Sequence, residues 1–542
     1  MLETAKGTAA NLGVHVRTSV LVIVGFALPL LTLHPLENVP YIDDWTYAWA
    51  VENFLNTGTL KILDWSTSID VAQILWGALF CLPVGFSFAA LRLSTWVLSV
   101  FGLIAFYLLL LELGVSRRDS LIGVAILGFS PIYFLLSFTF MTDIPAITFS
   151  TWCLFCLMKY LNSGRDRWVY AASAFSILTI ATRISGLAIP GAIAAHSLFH
   201  KNSGTRKLRA LLVGVVVPVL CAIALIYWHS HNIEHRTDLT WIRGSPQMRI
   251  ANLRFGFIYF PQWLLVTLVY AVPALGVLLA PLAISCPTRQ HYQKVFVALA
   301  AVIAVVAIGF VSGVASPSYQ GANRFLADQG GSYLQVPGAV NVSPAFGWNL
   351  LAGAAGVLLL CLAVGPALSR TTSTGVAVLR WLLLMQVVFV VVLSLWFSRY
   401  LLPLLPTLLA LILAATPVRR PLCAVALIGL SAMISVGVLH DDIQYNRALW
   451  LSVDYLRETG APLPRVHGGY IVNGWLQYAH KQNAKVNEKG EVQVEWVNTQ
   501  TEDFDYLISN KAEAGWLNLK EFQYGAWFGG PGKLYVLQRQ PR

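Results

Sequence analysis

Apolar runs of roughly 20 residues recur from Leu21 to Leu439 with short polar breaks between them, and about 20 predominantly apolar residues are what a helix needs to cross a bilayer. The pattern predicts about thirteen transmembrane helices. The run from Thr18 to Leu33, preceded by Lys6 and Arg17, has the outline of a secretory signal, but no convincing small-residue cleavage site follows it. It is read as a retained first span. The stretch from Ile69 to Phe86 is short and contains Pro83. Counting it as a span would reverse the orientation of its flanks, so an amphipathic helix on the outer surface is expected there. Trp168 to Leu198 reads as two short helices broken near Thr182 and Arg183.

From Asp441 onward the pattern changes: charges are frequent and no apolar run could span. A helical spacing (Leu449, Val453, Leu456) leads into strand-like runs at Tyr470 to Val472, Val492 to Val497, Tyr506 to Ile508 and Leu534 to Leu537. The expected fold is therefore a mainly α polytopic membrane domain, residues 1–440, followed by a small α/β domain, residues 441–542, facing water.

Composition agrees. Of 542 residues 56% are hydrophobic and 12% charged, too apolar and too charge-poor for a soluble globular chain. The net charge of +11 marks cytoplasmic loops in such a chain, which argues against nucleic-acid binding. Lys and Arg cluster at Arg117 and Arg118, Arg165 and Arg167, Lys201 to Arg209, Arg289 and Lys294, Arg370, and Arg419 with Arg420. Those loops are assigned to the cytoplasm with the N-terminus, and the loops between them, with the tail, to the outside. All seven cysteines fall in apolar segments; no disulfide framework is implied, and Cys153 with Cys156 reads as packing.

Candidate chemistry gathers on the outer side. Tyr41-Ile42-Asp43-Asp44-Trp45-Thr46-Tyr47-Ala48 sets two adjacent carboxylates at a membrane face. Such a group can accept a proton from an attacking hydroxyl or help hold a metal, or it can cap the helix that follows; the pattern leaves both open. Asp143 is the only charge in the turn Phe140-Met141-Thr142-Asp143-Ile144-Pro145-Ala146. A charge at membrane depth is a functional candidate, with helix capping as the alternative. Arg183, Arg399 and the loop residues Arg236, Arg243, Arg249 and Arg254 lie where the positive-inside trend disfavours them. Each calls for an anion such as a lipid phosphate, or for headgroups. His229, His231 and His235 include an i, i+4 pair without an apparent third metal ligand. Trp475, Tyr478, Trp496, Trp516 and Trp527 could stack on sugars or form the core of the tail.

Asp43-Asp44-Trp45-Thr46-Tyr47-Ala48 resembles the first-loop motif of GT-C fold glycosyltransferases, in particular lipid A aminoarabinose transferases and bacterial enzymes related to protein mannosyltransferases of the dolichyl-phosphate-mannose type. Met141 to Pro145, Thr182 to Gly186 and Ser398 to Pro403 resemble three further motifs of that family, in the same order. The resemblance implies inverting transfer of a sugar from a polyprenyl-phosphate donor to a lipid, glycan or protein acceptor on the periplasmic side of a bacterial inner membrane. Asp43, Asp44 and Asp143 would be the catalytic carboxylates, Arg183 and Arg399 the donor-phosphate ligands with Arg254 compensating for a missing family lysine, and Tyr47 and Tyr400 substrate contacts. No cofactor is certain; Asp43 and Asp143 would hold a divalent metal if one is used. One family feature is missing: a lysine of the late first loop has no counterpart in Trp65-Ser66-Thr67-Ser68-Ile69-Asp70. A lipid or sugar transporter, or a polymer ligase using a pyrophosphate-linked donor, is the alternative.

Overall fold

The computed structural model describes residues 24–66, 68–199, 205–234, 275–286, 360, 362, 364, 373–393, 398–480, 484–486, 492–494, 504–528 and 531–540. Among them the chain is mostly helical, and five helices are long and apolar enough to cross a membrane: Phe88–Glu112, Asp143–Ser163, Lys207–His231, Thr374–Val391 and Pro421–Glu458.

The Phe88–Glu112 helix starts where the Ser87 side chain accepts the Ala90 amide at 3.4 Å. Its 25 residues, at 1.5 Å each, reach about 38 Å, enough to cross the hydrocarbon. Asp143–Ser163 packs along it at Gly102, where an added Cβ would stand 2.6 Å from Thr148 Oγ1. The missing side chain lets the Thr148 hydroxyl donate to the Leu98 carbonyl at 2.8 Å, which satisfies a polar group that lipid could not. Arg167–Thr182 also packs against Asp143–Ser163.

Two breaks between elements stand where the apolar pattern weakens. Val71–Cys81 is a separate 11-residue helix, about 17 Å long and too short to span. The segment after Trp168 is broken as expected: one helix ends at Thr182, a single 3-10 turn covers Ile184–Leu187, and the next helix begins at Ala188.

Composition changes at residue 441, but the helix does not stop there. Pro421–Glu458 runs unbroken for 38 residues, about 57 Å and nearly twice the hydrocarbon thickness. Its apolar first part suits lipid. Its second part buries Tyr445, Leu449, Val453 and Leu456 against Val466, Ile508, Leu534 and Val536, so one helix serves two environments. The sheet it supports has four strands in the order Val466–His467, Tyr506–Ser509, Gly532–Arg539, Trp516–Tyr524, with the first pair parallel and the others antiparallel. One strand expectation fails. Tyr470 to Val472 lies in a short helix, Gly469–Asn473, which Gly469 enters at φ 81°, a backbone conformation glycine adopts without strain. Burial of Ile471 and Val472 with Leu476 outweighs the β preference of an apolar triplet.

Candidate active site

The first-loop carboxylates have different partners. Asp43 occupies the N-cap position of the Asp44–Thr57 helix but makes no side-chain cap bond. Its carboxylate is spent elsewhere: Oδ1 accepts the Tyr470 hydroxyl, and Oδ2 lies 2.9 Å from Arg399 Nη2. Asp44 is fully buried; Oδ1 accepts the Tyr41 amide at 2.6 Å and Oδ2 pairs with Arg92 Nη2 at 3.3 Å. Burial pushes the Asp44 carboxyl up to about 6 in spite of the adjacent guanidinium. The turn leading into this helix holds Ile42 at φ 49°, unfavourable for a β-branched residue and tolerated where the surroundings over-determine the backbone.

Asp143 opens the second motif as the first residue of its helix, where the dipole favours a carboxylate. Oδ1 pairs with Arg183 Nη1. Oδ2 is buried with no hydrogen-bond partner among the described residues. Arg183 is the break residue after Thr182, with extended φ and ψ. The chain turns tightly there because Gly186 lacks a Cβ, which would stand 2.9 Å from the Ile180 backbone nitrogen.

The late motif forms a 3-10 turn, Ser398–Leu401. Both guanidiniums approach the Tyr400 ring, Arg183 at 5.2 Å and Arg399 at 5.8 Å from Cζ to the centroid, within cation–π range. Tyr47 follows Asp43 by one helical turn and is buried, within electrostatic reach of Asp70, Arg399, Asp43 and Arg183. Burial, with Asp70 and Asp43 adding, holds the Tyr47 phenol above its ordinary value. Arg399 is also within reach of Asp143. Four sequence motifs thus meet as two carboxylate–guanidinium pairs bridged by two tyrosines.

Two members of the site were not among the expected residues. Tyr470, from the segment after the long helix, donates to Asp43, and Trp65 Nε1 donates to the Tyr470 oxygen at 2.6 Å. Nothing in the pattern around Tyr470 signals this, because its stretch reads as a strand. Arg236, Arg243, Arg249, Arg254, His235 and Trp496 lie outside the described residues. His231 is held by the Tyr227 carbonyl at 2.8 Å, and no group of three His, Cys, Asp or Glu able to hold a metal occurs among the described residues. With Asp43 and Asp143 each paired to a guanidinium, these residues do not fit a divalent ion. Of the tail aromatics, Tyr478 is buried and donates to Asp64, and Trp475 stacks on Phe86 with ring centroids 5.9 Å apart. They pack against the first loop and the segment after it. Trp527 is exposed and stacks on His440.

No protein family model and no curated protein matches the chain. Among solved structures it is similar to ArnT from Cupriavidus metallidurans bound to undecaprenyl phosphate, with 13% identity over 86% of this chain and 85% of that one, TM-score 0.42. It is similar to the archaeal oligosaccharyltransferase AglB from Archaeoglobus fulgidus in complex with an inhibitory peptide and a dolichol-phosphate, with 16% identity over 83% of this chain and 59% of that one, TM-score 0.43. A third is the S. cerevisiae protein O-mannosyltransferase Pmt1-Pmt2 complex bound to the sugar donor, with 15% identity over 40% of this chain and 34% of that one, TM-score 0.33. The chain thus spans about a third of the length of the mannosyltransferase and under two thirds of AglB.

Proposed function

We propose that the chain is an inverting glycosyltransferase that moves a sugar from a polyprenyl-phosphate donor to a lipid, glycan or protein acceptor at the outer face of a bacterial inner membrane. The observation that carries this reading is the meeting of Asp43, Asp143, Arg183 and Arg399 in one cluster. The acceptor hydroxyl oxygen attacks the anomeric carbon, and its proton passes to Asp43. The bond from that carbon to the phosphate oxygen breaks, and the leaving phosphate keeps the electron pair. Arg183 and Arg399 stabilise the charge that develops there, and as guanidiniums they do so without exchanging protons. Asp143 holds Arg183, Tyr47 and Tyr400 line the site, and Asp44 with Arg92 supports the turn that carries Asp43. Arg254 remains a candidate phosphate ligand. In the topology that goes with this reading, about thirteen spans lie within residues 1–440, the N-terminus is cytoplasmic, and the α/β region, residues 441–542, is periplasmic.

Mass spectrometry of envelope glycolipids and glycans from cells with and without the gene tests the proposal. One glycosylated species should disappear on deletion, return with the wild-type chain, and fail to return with Asp43→Asn. Full restoration by Asp43→Asn would remove the mechanism; an unchanged glycome on deletion would remove the activity.

A further inference from the structure

The Asp43 carboxylate is shared between a cation and a neutral hydroxyl, and the hydroxyl comes from the far end of the chain. Tyr470 reaches Asp43 across 427 residues of sequence. Its ring lies between Trp45 and Trp65, with centroids 6.0 Å from each. The direction of the hydrogen bonds is determined by chemistry. An indole nitrogen can only donate, so at 2.6 Å from Trp65 Nε1 the Tyr470 oxygen is an acceptor. A phenol has one proton, and a carboxylate oxygen accepts it. Trp65 thereby orients the Tyr470 hydroxyl toward Asp43 Oδ1, while Arg399 holds Oδ2.

We infer that Tyr470 is a positioning residue for Asp43: by satisfying one carboxylate oxygen it weakens the hold of Asp43 on Arg399 and lets that guanidinium turn toward a phosphate. The inference rests on the reading of Arg399 as a phosphate ligand. Without the hydroxyl, Asp43 has a single strong partner and draws Arg399 more tightly, so an incoming phosphate must compete against a stronger pair. The segment after the long helix is then part of the site, since it supplies the group that sets the balance between base and cation.

The test is a double-mutant cycle on the full-length protein in nanodiscs, with equilibrium binding of radiolabelled undecaprenyl phosphate to the wild type, Tyr470→Phe, Asp43→Asn and the double variant. Phe keeps the ring between the two tryptophans and removes only the hydroxyl. Tyr470→Phe should weaken binding about three- to tenfold, the net worth of one typical hydrogen bond. In the Asp43→Asn background the same change should have less than about a twofold effect, because the charge that competes for Arg399 is gone. Equal effects in both backgrounds, or none in either, would overturn the inference and leave the glycosyltransferase reading standing. Wild-type binding that is absent, or unaffected by Arg399→Ala, would instead overturn the phosphate-site reading and this inference with it.

Discussion

Arg399 Nη2 stands 2.9 Å from Asp43 Oδ2, so the cation suited to a leaving phosphate is held by the carboxylate suited to take the acceptor proton. An arriving phosphate and Asp43 compete for one guanidinium. On the proposed function, donor binding and release of the base are coupled through a single side chain.

Asp43→Asn keeps the volume and the Tyr470 contact but removes the base. Transfer should fall about 10²- to 10⁴-fold, with the unfolding midpoint in detergent within a few degrees of wild type. Turnover of labelled lipid-linked sugar, measured beside thermal unfolding, checks both halves.

The two arginines should respond differently to lysine. Arg399→Lys loses the planar fork that serves Asp43 and a phosphate together, and should weaken donor binding more than Arg183→Lys, which retains a charge beside Asp143. Arg183→Ala leaves Asp143 buried and unpaired, which costs about 3–5 kcal/mol and should lower the unfolding midpoint. Donor KM and thermal unfolding across the four single variants of lysine and alanine would reveal equal lysine responses if this ordering is wrong.

Asp44 and His467 should tilt stability with pH in opposite directions. Burial raises the folded-state Asp44 carboxyl from 3.8 to about 6. The folded protein binds the proton more tightly there, and this contribution is lost as pH rises from about 4 to about 6. Burial lowers His467 from 6.5 to about 4, against an opposing hydrogen bond from Asn473. The unfolded chain then binds the proton more tightly, so this contribution is lost as pH falls from about 6.5 to about 4. Relative to wild type, the stability curve of Asp44→Asn should gain an upward slope across pH 4–6, and that of His467→Gln a downward one. Unfolding midpoints over that range measure the two slopes, and parallel curves would count against both assignments.

Gly474 faces the Trp45 indole so closely that a Cβ would stand 2.5 Å from it. The contacted atoms belong to a fully buried ring beside Asp44, so the ring cannot swing aside freely. Gly474→Ala should cost about 1–3 kcal/mol and reduce transfer by disturbing the turn that carries Asp43. Gly515→Ala, at a position with open space around it but a φ of 81°, separates backbone strain from this steric effect: activity should fall only in the first variant.

The long apolar helices, the break at Arg183 and the strand-like runs at Tyr506 to Ile508 and Leu534 to Leu537 were legible because each follows from local spacing, apolar length or turn chemistry. The pairing of charges was partly legible. Asp143 and Arg183 stand out as ionisable groups in apolar surroundings, and such groups need partners. Spacing alone does not tell Asp43 and Asp44 apart as adjacent letters; only the motif resemblance favours Asp43. Their roles diverge because the backbone turn at Ile42 sends one side chain to Arg399 and Tyr470 and the other to Arg92. The helix at Tyr470 was misread as a strand because three apolar residues carry no periodicity that separates the two.

By itself, then, the sequence determined that this chain belongs in a membrane and which charged groups stand out in apolar surroundings, since hydrophobic length and the cost of burying charge are local properties. Only the tertiary structure decided that Tyr470 joins Asp43 and that Asp44 does not join the cluster. Those outcomes depend on which distant segments pack together and on which way a hydroxyl proton must point once Trp65 has taken its other side.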